Sequence, residues 1–218
     1  EFENGSYIQT ALLDGVPGNL ENPYGTQIIL NKNDGLLVIN EMGIVNSEEE
    51  QLKSKIAFGG WIYTAKSEVN NLNIFSLSPN YQNNYGFYFT AESAFYSPHE
   101  NSNLGLNGFV RIGYANPQVN PVDFYLGTGF KFSGLFGTDN NELGLAIAFS
   151  HNSQGFRNIA ELNGELIKPY EINLEATFLM PLTPYLIIQP DIQYIINPSY
   201  CTNSNSAFVI SSRIQLHF

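Results

Sequence analysis

Residues 185–196 read Tyr-Leu-Ile-Ile-Gln-Pro-Asp-Ile-Gln-Tyr-Ile-Ile. In an extended strand successive side chains point to opposite faces. Leu186, Ile188, Ile192 and Ile196 then share one face, and Gln189, Asp191 and Gln193 share the other. The same division recurs on either side. Ala207–Phe218 sets Phe208, Ile210, Ile214, Leu216 and Phe218 against Arg213, Gln215 and His217. Tyr170–Leu179 sets Ile172, Leu174, Ala176 and Phe178 against Glu171 and Glu175. Val122–Ser133 groups Phe124, Leu126, Phe130 and Phe132 opposite Asp123 and Lys131. Leu104–Ala115 groups Leu104, Leu106, Val110 and Ile112 opposite Asn107 and Arg111. Lys55–Thr64 groups Ile56, Phe58, Gly60 and Ile62 opposite Lys55, Ala57, Gly59, Trp61 and Tyr63.

The alternation predicts ten strands. Besides those six they are Ser6–Leu12, Gly35–Val45, Tyr85–Tyr96 and Glu142–His151. Most reach the ~9–11 residues that a tilted strand needs to cross a bilayer, against about 5–6 in soluble sheets. In the six strands set out above, every charge lies opposite the Ile, Leu and Phe set. The polar face is Gly, Asn, Gln, Ser and Tyr with sparse charges of both signs, as a wet barrel lumen requires. In Gly35–Val45, Leu37 and Ile39 share a face with Glu41, so the division blurs there.

Composition agrees. The 218 residues are 43% hydrophobic but only 13% charged, with a formal net charge of -11 and 27 Asn. That balance is unlike disorder, which needs low apolar content and high charge. Nine Lys and Arg make a poor footprint for nucleic acid. A single cysteine, Cys201, excludes an internal disulfide framework and a Cys-rich zinc site. No apolar run approaches the length of a transmembrane helix. The chain starts at Glu1 without a basic n-region or an h-region, which suggests a removed signal peptide or a missing start. Two classes stay open: a secreted all-β protein and an outer-membrane β-barrel.

The connections favour the barrel. Long links (197–206, 152–169, 65–84, 13–34) alternate with shorter ones (180–184, 134–141, 97–103, 46–54), as long loops on one side and short turns on the other would. The link at 115–121 is the one short member of the long side. The last strand ends on Phe218 with Leu216 and Ile214 on its face, which looks like the insertion signal read by the barrel-assembly machinery.

Leu182 to Pro198, with its core Gln189-Pro190-Asp191-Ile192-Gln193-Tyr194 followed by Asn197-Pro198, resembles the penultimate strand of the carbohydrate-selective porins (the OprB-like family) of Gram-negative bacteria. Tyr7–Asp14, Leu37–Gly43 with Glu41, Ile56–Tyr63 with Trp61, Gly108–Tyr114 with Arg111, Gly127–Gly134 and Tyr170–Glu175 resemble other strands of that family in the same order. The resemblance implies a barrel of roughly sixteen strands that passes sugars across the bacterial outer membrane. The ten strands read here match the family's C-terminal part. Ten strands alone give a narrow bore, whereas 16–18 leave an aqueous channel.

Selectivity in such a pore comes from bore, hydrogen-bonding groups and charged constrictions. The candidate lumen groups are Glu41, Lys55, Glu92, Arg111, Asp123, Lys131, Glu171, Glu175, Asp191 and Arg213. Arg111 and Lys131 lead as mid-strand cations on neighbouring segments, followed by Glu41 and Glu92 as mid-strand acids. The plainer reading is that such charges pair across strands and fill the wall. Trp61, Tyr63, Tyr88, Tyr96 and Tyr125 share the lumen parity, and their ring faces could stack on sugar rings. Tyr63 and Tyr96, near strand ends, read better as rim anchors. Asp191 and Gln193 fit barrel closure at least as well as sugar contact.

Catalysis finds little footing. Ser150 and His151 are neighbours in one strand and point to opposite faces, which spoils a nucleophile–base pair. His99 falls in a turn and His217 near a strand end. Glu171 and Glu175 lie about 13 Å apart along a strand, at ~3.3 Å per residue, too far for a glycosidase pair. Glu48-Glu49-Glu50 is an acidic run in a turn, read as solvated. The reading is one barrel domain over residues 1–218, a porin for passive diffusion of carbohydrates and other small solutes, ions included. No enzyme activity, cofactor or metal is expected. Its partners are outer-membrane lipid, small sugars in the lumen, the barrel-assembly machinery through Phe218 and further copies in a homo-oligomer, with no nucleic acid. The alternatives are a secreted sugar-binding or adhesive module and a structural barrel with a plugged lumen.

Overall fold

The computed structural model describes residues 5–16, 35–48, 51–69, 80–96, 105–135, 140–198 and 205–217. The strands are β1 (Ser6–Asp14), β2 (Leu36–Glu48), β3 (Gln51–Glu68), β4 (Tyr81–Tyr96), β5 (Gly105–Ala115), β6 (Val122–Ser133), β7 (Glu142–Asn152), β8 (Tyr170–Thr183), β9 (Leu186–Ile196) and β10 (Ala207–Leu216). One helix, α1 (Gln154–Leu162), stands between β7 and β8. All ten strands form one antiparallel sheet in the order β1 to β10, each paired with its chain neighbours. This is the up-and-down wall of a transmembrane β-barrel. Among the described residues the outer edges of β1 and β10 carry no pairing.

The register carries the alternation across the sheet. Ile8, Met42, Phe58, Phe89, Ile112, Leu126, Phe149, Ile172 and Ile196 stand opposite one another in a single row across nine strands. One residue further along, the row is Gln9, Glu41, Gly59, Tyr88, Gly113, Tyr125, Ser150 and Glu171. One face of the sheet is therefore dominated by Ile, Leu and Phe, with Thr10, Asn40 and Thr128 among them, and the other carries the charges, tyrosines and small residues.

The apolar face is outermost: Ile8 is 65% exposed and Ile210 is 69% exposed. The buried hydrophobic residues among those described are only Tyr7, Ala57 and Ala160. A water-soluble sandwich would bury the Ile and Phe rows between two sheets. Among the described residues the sheet has no second layer, and so large an apolar surface suits hydrocarbon rather than water. No described helix is long and apolar enough to span a membrane; the strands do the crossing.

Several expectations are corrected. A bulge between Ala94 and Tyr96 sets Tyr96 opposite Leu106, so Tyr96 leaves the lumen parity for the lipid-facing one. A bulge adds one residue on one strand and so shifts alternation beyond it. A second bulge, between Val122 and Phe124, takes Asp123 out of simple alternation. Its carboxylate contacts His151 Nδ1 at 2.7 Å, and His151 stands opposite Tyr170 on the ladder that carries Phe149. The short links are tighter than expected: β2 turns into β3 between Glu48 and Gln51, and only Pro184 and Tyr185 separate β8 from β9. The blurred parity of Gly35–Val45 resolves, because Leu37, Ile39 and Glu41 face the lumen with their partners Tyr63, Trp61 and Gly59. His99, Cys201, Phe218, and Glu49 and Glu50 of the acidic run lie outside the described residues.

The helix within the 152–169 link was not expected. Ser153, fully buried, caps it by accepting a hydrogen bond from the Phe156 amide at 3.4 Å and donating to the Asn120 carbonyl at 2.7 Å. Asn120 and buried Asn116 donate to Asn84 and to the Asn83 carbonyl, at 2.9 and 2.8 Å. One polar knot thus ties the rim of β4, the short β5–β6 link and the start of α1.

The two faces of β7 give a direct test. Ile147 lies between Thr128 and Leu174 on the apolar face, and Ala148 lies between Gly127 and Asn173 on the lumen face. Ile147→Arg is expected to lower the unfolding free energy by about 2–4 kcal/mol, the cost of an arginine facing mid-bilayer lipid. Ala148→Arg is expected to fold normally. Urea unfolding from lipid vesicles measures both, and equal losses would overturn the assignment of faces.

Candidate functional site

The lumen face is built from large side chains seated on small ones. A Cβ placed on Gly59 would lie 2.2 Å from the Tyr88 ring, and one on Gly86 would lie 2.7 Å from the Trp61 indole. Those rings occupy the space that only glycine leaves open. Tyr7 lies likewise against Gly43, at 2.8 Å. Flat packing of rings on glycine keeps this part of the wall thin.

These rings frame a polar brace. Both oxygens of Glu41 accept hydrogen bonds, one from the Tyr7 hydroxyl at 2.6 Å and one from the Tyr88 hydroxyl at 2.7 Å. Lys55 adds an ion pair at 3.6 Å and lies over the Tyr7 ring. The Glu41 side chain is only 18% exposed. Its acceptor capacity is spent on partners from three neighbouring strands, β1, β3 and β4, which leaves little for a solute. The plainer reading of a lumen charge therefore describes Glu41 well.

Across β5 to β8 the wall changes character. Ala146 and Ala148 project only a methyl group, Gly127 and Gly144 lie under Tyr125 and Thr177, and along this stretch of wall opens a hollow of ≈ 660 Å³. That volume falls within the ~300–1,000 Å³ usual for small-molecule sites. Arg111, Lys131 and Glu92 border it on one side, and Glu142, Asn173 and Glu175 on the other. Arg111 is 58% exposed, contacts Glu92 at 3.4 Å and lies over the Phe109 ring. Lys131 donates to Glu142 at 2.9 Å. Exposed pairs of this kind add only about 0–1 kcal/mol to stability, so both partners stay open to exchange with a solute.

The remaining candidates sit beyond the hollow. Asp191 accepts from Gln193 at 3.0 Å and from Ser211 at 3.1 Å, linking β9 to β10. Gln193 in turn accepts from Asn173 at 3.2 Å. Arg213 stands opposite Gln189 on the last strand of the sheet. Trp61 lies on its glycine with its edge to Tyr63, at 5.7 Å. The structure thus brings Glu92, Arg111 and Lys131 to one hollow, and it separates Glu41, Trp61, Asp191 and Arg213 from it. Glu142, Asn173 and Phe109 were missed. Their signal was parity shared with the neighbouring strand, which becomes readable only when the register is known.

Charge is distributed unevenly around the wall. Lys55, Arg111 and Lys131 stand on β3, β5 and β6, with Glu41 and Glu92 paired among them. Glu142, Glu171, Glu175 and Asp191 stand on β7 to β9. A solute over the hollow meets cation–carboxylate pairs, with carboxylates prevailing toward β7 and β8.

The sequence matches the carbohydrate-selective porin family OprB over residues 1–218. Porin B of Pseudomonas aeruginosa is 23% identical over 235 residues, a match that covers 97% of this chain and 52% of that protein. The high-pH structure of Pseudomonas putida OprB superposes with a TM-score of 0.84 at 19% identity, covering 99% of this chain and 56% of that one. The chain spans about half the length of each of these relatives.

The brace and the hollow are separable by mutation. Glu41→Leu strands two tyrosine hydroxyls and an ammonium, and it is expected to destabilise the barrel by about 2–3 kcal/mol. Arg111→Leu breaks an exposed pair and should cost under about 1 kcal/mol while shifting ion selectivity. Unfolding midpoints and zero-current potentials in a salt gradient measure the two effects. A larger selectivity change in Glu41→Leu than in Arg111→Leu would show the roles to be reversed.

Proposed function

Because the chain belongs to the carbohydrate-selective porin family OprB, we propose that it forms part of an outer-membrane channel for passive diffusion of neutral sugars and other small solutes. The observation that carries this is the hollow bordered by paired charges. Arg111 is already compensated by Glu92, and Lys131 by Glu142. A naked cationic constriction would hold anions, whereas compensated pairs present donors and acceptors with little net field. Sugar hydroxyls both donate and accept, so they can replace water along such a wall without loss of hydrogen bonds. The candidate contacts are Arg111, Lys131, Glu92 and their partner Glu142. Asp191 and Arg213, on β9 and β10, serve the wall itself. The channel needs neither cofactor nor covalent chemistry.

Closure of the wall belongs to the same proposal. Unpaired backbone groups at an edge cannot persist in hydrocarbon, so further strands adjoin β1 and β10. They complete a single barrel domain near the sixteen strands at which a water-filled bore opens. Lipid contacts the Ile and Phe rows. Delivery to the membrane by the barrel-assembly machinery and association with further copies fit this reading.

Single-channel recording of the complete protein in planar bilayers tests it. Neutral hexoses are expected to reduce the current saturably, and Arg111→Ala with Lys131→Ala is expected to weaken that block severalfold. Current that no sugar affects would keep a general pore and remove the carbohydrate preference. Absence of current from folded protein would remove the channel.

A further inference from the structure

Tyr125 and Phe109 flank Arg111 at the hollow, and each lies on a glycine. A Cβ on Gly127 would meet the Tyr125 hydroxyl oxygen at 2.6 Å and its ring carbons at 3.1 Å. A Cβ on Gly129 would meet Phe109 Cε1 at 2.8 Å. One face of the Tyr125 ring is therefore pressed on backbone and the other is turned to the lumen, whereas Phe109 is covered by the Arg111 guanidinium. Gly127 is also the ladder partner of Arg111, and the Arg111 guanidinium sits 5.1 Å from the Phe109 ring centre. The two rings and the guanidinium thus form one low surface, bordered by the carboxylate of Glu92 and the Lys131–Glu142 pair.

Two other glycine-seated rings are held at their hydroxyls. The Tyr88 hydroxyl is held by Glu41 and the Tyr7 hydroxyl by the other Glu41 oxygen. Tyr125 is 40% exposed, and no hydrogen bond or ion pair among the described residues engages its side chain. Its free face stands beside charged groups that can reach around the edge of whatever lies on it.

We propose that Tyr125 is a stacking subsite that selects the closed pyranose ring over open-chain polyols of the same size. This rests on the sugar-channel reading above and names the feature of the sugar that the hollow reads. A pyranose with equatorial hydroxyls presents a patch of axial C–H groups on each face, rigid and nearly flat. That patch covers an aromatic face, on the positive-to-negative complementarity that also governs edge-to-face aromatic pairs. Its hydroxyls then radiate from the ring edge, where Arg111, Glu92, Lys131 and Glu142 stand. An acyclic hexitol carries as many hydroxyls but no fixed apolar face, and it must give up chain rotation to lie flat.

Current block of the complete channel by glucose and by sorbitol decides the matter. The wild-type half-blocking concentration is expected to be about tenfold lower for glucose, equivalent to ~1.4 kcal/mol. Tyr125→Leu removes the π face but keeps apolar bulk, and it is expected to bring glucose to the sorbitol value. Tyr125→Phe keeps the face and is expected to retain the preference. Gly127→Val, which lifts the ring from its seat, is expected to act like Tyr125→Leu. Saturable block at equal concentrations of both solutes in the wild type would overturn the subsite and leave the sugar channel standing. So would a full glucose preference in Tyr125→Leu. Failure of both solutes to block would remove the channel reading and the subsite together.

Discussion

Hydrocarbon offers no partner to a backbone N–H or C=O, so a chain crossing it in strands must satisfy every such group on a neighbouring strand. The rest of the structure follows from that requirement. Each strand is tied to the next by a ladder, and through its middle one row runs unbroken from Gln9 opposite Glu41 to Ser150 opposite Glu171. Where a row is unbroken, the face assigned to one residue assigns the face of its partners along it. Nine apolar side chains from Ile8 to Ile196 align for this reason, and none of the nine is among the buried residues described.

The same ladder decides how the lumen is furnished. A ring on one strand can lie flat only if its partner strand offers no Cβ beneath it, as Gly59 does for Tyr88 and Gly129 for Phe109. Bulky groups are thereby held against the wall, and charges stand up from it. Where the partners are themselves small, at Gly127, Gly144, Ala146 and Ala148, the wall recedes into a hollow. The charges around it are compensated in pairs across adjacent strands. The proposed passage of a neutral polar solute calls for that balance: enough hydrogen-bonding groups to replace water, with too little net charge to trap ions.

Bulges show how sensitive the arrangement is. One extra residue near Ala94 carries Tyr96 from the lumen parity to the side of Leu106. Another near Val122 brings Asp123 to His151, although simple alternation points it at the lumen. Neither bulge has a local mark in the sequence, because a bulge is a mismatch between two strands. Helix α1 was missed for a related reason. Its start depends on Ser153 reaching Asn120 on another link, and nine residues are too few to declare a helix by periodicity.

The amino-acid sequence alone determined the strand count, the two faces of most strands, the lumen position of Arg111, Lys131, Glu92 and Trp61, and the kinship of the chain. Alternation is local, with a period of two, and needs no knowledge of what lies alongside. Tertiary structure alone decided which lumen groups act together. It locked Glu41 between two tyrosines, paired Lys131 with Glu142, seated Tyr125 and Phe109 on glycines and opened the hollow between β5 and β8. Those contacts depend on register, and register is set by how far one strand slides against its neighbour before backbone pairing and the apolar rows agree.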